Sequence, residues 1–150
     1  ATGGHLGLLT ALIGESKIAA IVAAFAPTDL LSLDEFPHDV TSVLEHHSAD
    51  SCEGRLLGGA VFANKQKARQ ASPIHHIKKH TPPMLLLHGT HDAIVPVYQS
   101  RNFYQKSVEI GSDITYLEFP KGGHSAQNFP WYFLKKKEIY ICTEHICLFI

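Results

Sequence analysis

No stretch of this chain is apolar for long enough to cross a bilayer, which takes about 20 residues. Its start has no basic region and no cleavage-like site, so no signal peptide is readable and a cytoplasmic location is expected. An excess of one charge is missing too. The formal net charge of −1 offers nothing to nucleic acid or to an anionic membrane surface. Cysteine is scarce: Cys52, Cys142 and Cys147 show no metal-ligand spacing and cannot all pair, so they read as free thiols of an intracellular protein. No G-x-G-x-x-G follows an expected strand, which argues against a flavodoxin-like or Rossmann-type nucleotide domain. The eleven histidines include the adjacent pairs His46-His47 and His75-His76, but no H-E-x-x-H or C-x-x-C accompanies them. Neighbouring side chains seldom share one metal, so no metal is expected.

What is present suits one soluble globular domain over 1–150. Hydrophobic residues make up 45% and charged residues 18%, in a chain too short for two comfortable domains. Leu6, Leu9, Leu12 and Ile13 recur at helical spacing over 3–13, with Gly14 as a stop. "IAAIVAAFAP" (18–27) reads as a strand buried on both faces, and "TDLLSLDEFP" follows as a polar-capped loop. After the Gly58-Gly59 break, "NKQKARQA" suggests a helix. "MLLLHG" (84–89) and "ITYLEFP" (114–120) are two further strands. Between them, 97–111 reads as a helix with Val97, Phe103, Tyr104 and Val108 inward and Gly111 closing it. Strands separated by helix-length segments predict an α/β domain with a parallel sheet. The tail over 129–150 is aromatic and lysine-rich, with an apolar end that suits a strand or an extension of no defined structure.

Two loops carry candidate chemistry. In "LLLHGTHDAIVP", Asp92 lies just past the end of a buried strand, the edge where active-site groups gather in open parallel sheets. In "EFPKGGHSA", Gly122 and Gly123 would let His124 swing over the strand ends. Alone, Asp92 would read as a helix-capping aspartate and His124 as a surface histidine. Their shared placement and their order, acid before base, favour a catalytic pair. Ser125 cannot serve as its nucleophile, because adjacent residues cannot adopt nucleophile–base geometry.

The opening "ATGGHLGLLTAL" supplies a third element. It is similar to the end of a nucleophile elbow, G-x-S-x-G, a strained strand-to-helix turn that presents a serine. Setting the last glycine of that motif on Gly3 places Ala1 where the serine belongs. Four stretches then carry a family resemblance: "TGGHLGLLTAL", "AAFAPTDLL", "LLGGAVFANKQKARQASPIHHI" and "PPMLLLHGTHDAIVPVYQS". Over roughly 1–128 the chain resembles the C-terminal part of α/β-hydrolase esterases, in the feruloyl-esterase-like and acetyl-esterase-like group related to hormone-sensitive lipases and prolyl oligopeptidases.

The resemblance implies a partial α/β-hydrolase fold containing about the last three strands with flanking helices. It implies ester hydrolysis by Ser-His-Asp acyl transfer, with small-molecule ester substrates and no cofactor. Asp92 becomes the acid, His124 the base, the Thr2 backbone N–H one oxyanion donor, and Ala1 the occupant of the serine position. An alanine has no nucleophilic oxygen, so this chain is expected to be inactive alone. The alternative is a catalytically dead remnant kept as a binding or interaction module. Everything the family places before its nucleophile is absent, which is expected to leave the first strand here with an open apolar edge. Such an edge invites self-association or a complementing N-terminal fragment.

Overall fold

The computed structural model describes residues 1–14, 17–35 and 43–125, together with the backbone of 148–149. Its centre is a parallel sheet of β1 (Ile21–Ala24), β2 (Met84–Gly89) and β3 (Ile114–Phe119). Ile21 stands opposite Met84, and Met84 opposite Ile114. A two-residue β4 (Leu148–Phe149) completes the order β3-β2-β1-β4. All four β1 residues are buried, as a strand covered on both faces requires. The strand expected over 18–27 is shortened to 21–24. Its last ladder bond runs from Phe25 N–H to Leu87 O at 2.8 Å. Phe25 then turns into the left-handed region with φ 42°, and Pro27 has no N–H to give. The edge of β1 expected to be open is paired with β4 at Val22 and Ala23, where an apolar strand accepts a short parallel neighbour.

Helix α1 (Thr2–Ile13) lies on the sheet through Gly4, His5, Gly7, Leu8 and Leu12. A Cβ at Gly4 would meet the Ala26 Cβ at 3.0 Å and the Ala24 carbonyl at 3.3 Å, so glycine lets helix and strand backbones touch. With this contact facing the sheet, the four apolar positions at helical spacing do not share one environment: Leu12 is buried, but Leu6 and Ile13 are more than half exposed. Leu8 and Leu12 join Ile21, Ala23, Met84, Leu86 and Phe103 in the main core.

After β1 the chain makes turns through 30–35. Helix α2 (Cys52–Leu57) starts at Ser51, whose Oγ accepts the Gly54 N–H at 3.0 Å, and ends at Gly58 with φ 80°. The helix expected in "NKQKARQA" begins as a 3-10 turn, Val61–Asn64, and continues as α3 (Lys65–Gln70). A second 3-10 turn, Pro73–His76, leads toward β2.

Helix α4 (Tyr98–Ile110) closes at Gly111 in the left-handed conformation, φ 83°. Its inward face differs from expectation. Val97, just before the helix, and Phe103 are buried, but Tyr104 and Val108 face outward, and Gln99, Ser100 and Ser107 face in. Polar bonds set this rotation. Gln99 Oε1 accepts the N–H groups of Thr28 and Asp29 at 2.8 and 2.7 Å, while its Nε2 donates to Ser32 Oγ. Of the thiols, Cys52 is exposed and free, and Cys142 and Cys147 lie outside the described residues, as does the tail apart from 148–149.

Candidate active site

Two loops leave the C-terminal ends of β2 and β3 and are stitched together by backbone. The Gly122 carbonyl accepts the His91 N–H at 2.8 Å, and the Phe119 carbonyl accepts the Thr90 N–H at 3.0 Å. Thr90 Oγ1 in turn accepts the Lys121 N–H at 2.8 Å. Lys121, at φ 62°, turns the second loop back over the first. This places Asp92 and His124, 32 residues apart, in contact: His124 Nδ1–H donates to Asp92 Oδ2 at 2.8 Å. The sequence-predicted acid and base are therefore brought together.

Asp92 is buried and fully engaged. Its Oδ1 accepts the Ile94 and Val95 N–H groups, each at 2.9 Å, in a turn that fixes the carboxylate plane. Burial opposes the charge. The hydrogen bonds from His124, His88 and the Ile94 amide outweigh that opposition and hold the carboxyl well below its ordinary range. An ionised acid bonded to Nδ1 fixes the His124 tautomer and leaves Nε2 as the nitrogen available for proton transfer. The His124 ring also packs on Phe25, with centroids 4.7 Å apart and planes tilted by 53°.

His88 was not singled out from the sequence, yet it is completely buried beside the acid. Its Nε2–H donates to the Val95 carbonyl at 2.9 Å and lies 3.2 Å from Asp92 Oδ2. The Ser100 hydroxyl, 2.7 Å from Nδ1, satisfies the other nitrogen. The readable signal was its place at the end of β2, four residues before Asp92. A strand histidine with no surface has to find partners inside.

Ala1 precedes α1, and its carbonyl accepts the first helical bond, from His5 N–H at 2.9 Å. It packs against the cluster of Val22, Ala24, Phe25 and Leu87, and Phe25 is the residue that meets His124. Thr2, in the first helical turn, is exposed, and an N–H at that position has no intrahelical acceptor. Among the described residues, no three histidine, cysteine or carboxylate side chains are grouped as a metal site. No helix among them is long and apolar enough to cross a membrane.

The BD-FAE family model matches residues 1–107, a stretch that includes Asp92. The chain belongs to the BD-FAE family. This places it with esterases of the α/β-hydrolase type, as the sequence motifs indicated. Esterase LipC of Mycobacterium tuberculosis (strain ATCC 25618 / H37Rv) is 40% identical over 136 residues, covering 81% of this chain and 32% of LipC. Esterase LipQ of the same organism is 28% identical over 136 residues, covering 82% of this chain and 30% of LipQ. The BD-FAE chain thus spans about a third of the length of these relatives. Among solved structures, a truncated form of a carbohydrate esterase from gut microbiota superposes with a TM-score of 0.73 at 23% identity. That match covers 97% of this chain and 57% of the other, and it shows the fold. The three long parallel strands and their helices are part of an α/β-hydrolase.

Proposed function

We propose that this fold serves carboxylic-ester hydrolysis by acyl transfer, with His124 as general base and Asp92 as the group that orients it. The supporting observation is the 2.8 Å bond from His124 Nδ1–H to a buried Asp92 whose other oxygen is held by two amides. Ala1 stands at the nucleophile position and the Thr2 N–H at one oxyanion position. In such a site His124 Nε2 would take the proton of a serine as its oxygen attacks the ester carbonyl, then return it to the departing alcohol. With a methyl group at residue 1 there is no hydroxyl to deprotonate, so the 150-residue chain turns over no ester. The substrates of this reading are small acyl or hydroxycinnamoyl esters.

Hydrolysis of p-nitrophenyl acetate tests it. The chain and its His124→Ala variant are expected to give equal rates, and a His124-dependent rate with Ala1 in place overturns the proposed inactivity. In Ala1→Ser, a fluorophosphonate probe is expected to label residue 1, and adding His124→Ala abolishes the adduct. Absence of any adduct removes residue 1 from the nucleophile position; an adduct indifferent to His124 removes His124 from the base's role.

A second reading, a site kept for binding or interaction, is favoured by Ala1 itself. Saturable binding of a hydroxycinnamoyl ester without turnover supports it. Self-association is also proposed, because Leu6 and Ile13 are exposed on α1 and, among the described residues, β4 pairs with two residues of β1. A single monomeric species across concentrations in sedimentation velocity overturns that proposal.

A further inference from the structure

The loop that carries Asp92 is gripped by two buried histidines on consecutive carbonyls. His88 Nε2–H takes Val95 O, and His46 Nε2–H takes Ile94 O at 2.8 Å. The same two residues donate the amides that hold Asp92 Oδ1. The two rings differ in their second nitrogen. That of His88 faces a hydroxyl, which can donate, so a neutral ring is satisfied. That of His46 faces Glu53 Oε1 at 3.2 Å. A carbonyl and a carboxylate only accept, so His46 satisfies both as an imidazolium.

We propose that His46 and Glu53 are positioning residues for Asp92, a charged clamp that holds the Ile94 carbonyl and thereby the amides carrying the acid. The proposal rests on the reading of Asp92 as the acid beside His124, but its test does not depend on turnover. His46 is buried against the turn after β1, α2 and the acid loop. Among the described residues, the charged and titratable groups around it are Glu53 from α2, Asp34 from the turn, which accepts the His46 backbone N–H at 2.9 Å, and His47, 3.6 Å from Asp34. His5 of α1 also feels the Glu53 charge.

Deprotonation acts on one bond selectively. The proton left on the ring stays on Nδ1, facing the carboxylate, because a charge-assisted bond is the stronger. Nε2 then turns a lone pair toward Ile94 O, and the clamp opens. The Glu53 hydrogen bond raises His46 above its ordinary 6.5 against the opposing effect of burial. A raised value means that the clamp is closed below pH 6.5 and is lost as pH rises through the folded value.

Site-resolved amide exchange by NMR on the intact chain tests this, comparing Ile94 and Val95 with Leu86 in the central strand. In the wild type, protection at 94 and 95, corrected for intrinsic rates, is expected to fall with rising pH by about tenfold, the factor one charge-assisted bond supports. Leu86 should not follow. His46→Leu loses this protection at every pH. Glu53→Gln keeps it and abolishes its pH dependence, because the introduced side-chain amide can donate to Nδ1 and leave Nε2–H on Ile94 O. Superimposable pH profiles for wild type and Glu53→Gln, unchanged protection in His46→Leu, or parallel loss at Leu86 would each overturn the clamp. The ester-hydrolysis reading fails separately, on the labelling of residue 1.

Discussion

Gly89 and Gly122 meet backbone to backbone: a Cβ built on Gly89 would collide with the Gly122 carbonyl. That carbonyl accepts the His91 N–H one residue before Asp92, and Gly122 lies two residues before His124. The distance between Asp92 and His124 is therefore set by a contact in which neither takes part. Gly89→Ala is expected to push the loops apart and break the Asp92–His124 bond while leaving both residues present. In spectra of labelled histidine, the His124 Nδ1 proton signal should be lost, as in Asp92→Asn. A retained signal in Gly89→Ala would show that the loops can yield without parting.

This contact also separates what the sequence could show from what it could not. The strands were readable because β1 and β2 are buried runs of apolar residues, and the meeting of Asp92 and His124 because each lies in the loop after one of two strands. The partners of these residues were not. His46 and His88 look like any loop or strand histidine until folding sets Ile94 and Val95 against them. The face of α4 departs from its apolar spacing for a related reason. Apolar spacing favours Tyr104 and Val108, but Gln99 and Ser100 turn inward to satisfy the Thr28 and Asp29 amides and His88, partners distant in sequence. The inward face of α1 is not legible from apolar spacing, because Gly4, which has no side chain to count, makes a close approach to the sheet.

The α4 face predicts a contrast in stability. Gln99→Leu keeps volume but leaves the buried N–H of Thr28 and the half-buried N–H of Asp29 without their acceptor, at about 1–3 kcal/mol each. A loss of roughly 2–6 kcal/mol is expected, seen as a lower urea midpoint at unchanged slope. Val108→Ala, although apolar and helical, should cost less than about 0.5 kcal/mol because the side chain is mostly exposed. Equal costs for the two variants would refute this orientation of the helix.

The pH dependence of stability tests the electrostatics of Asp92. Asp92 is held below its ordinary 3.8 because the bonds from His124, His88 and Ile94 N–H overcome the burial that would raise it. For a depressed carboxyl, the unfolded chain takes up its proton first as pH falls. The stabilisation from ionised Asp92 is then fully present above the unfolded value and is lost progressively below it. Asp92→Asn keeps the shape of the side chain but cannot change charge. Urea unfolding at fixed ionic strength should show the wild type more stable than Asp92→Asn at pH 6, with the gap closing between about pH 4 and pH 2. A gap that is constant with pH would mean that the carboxylate draws no net stability from the histidines around it. The structure would then hold Asp92 by its amide bonds alone, which asparagine can also accept.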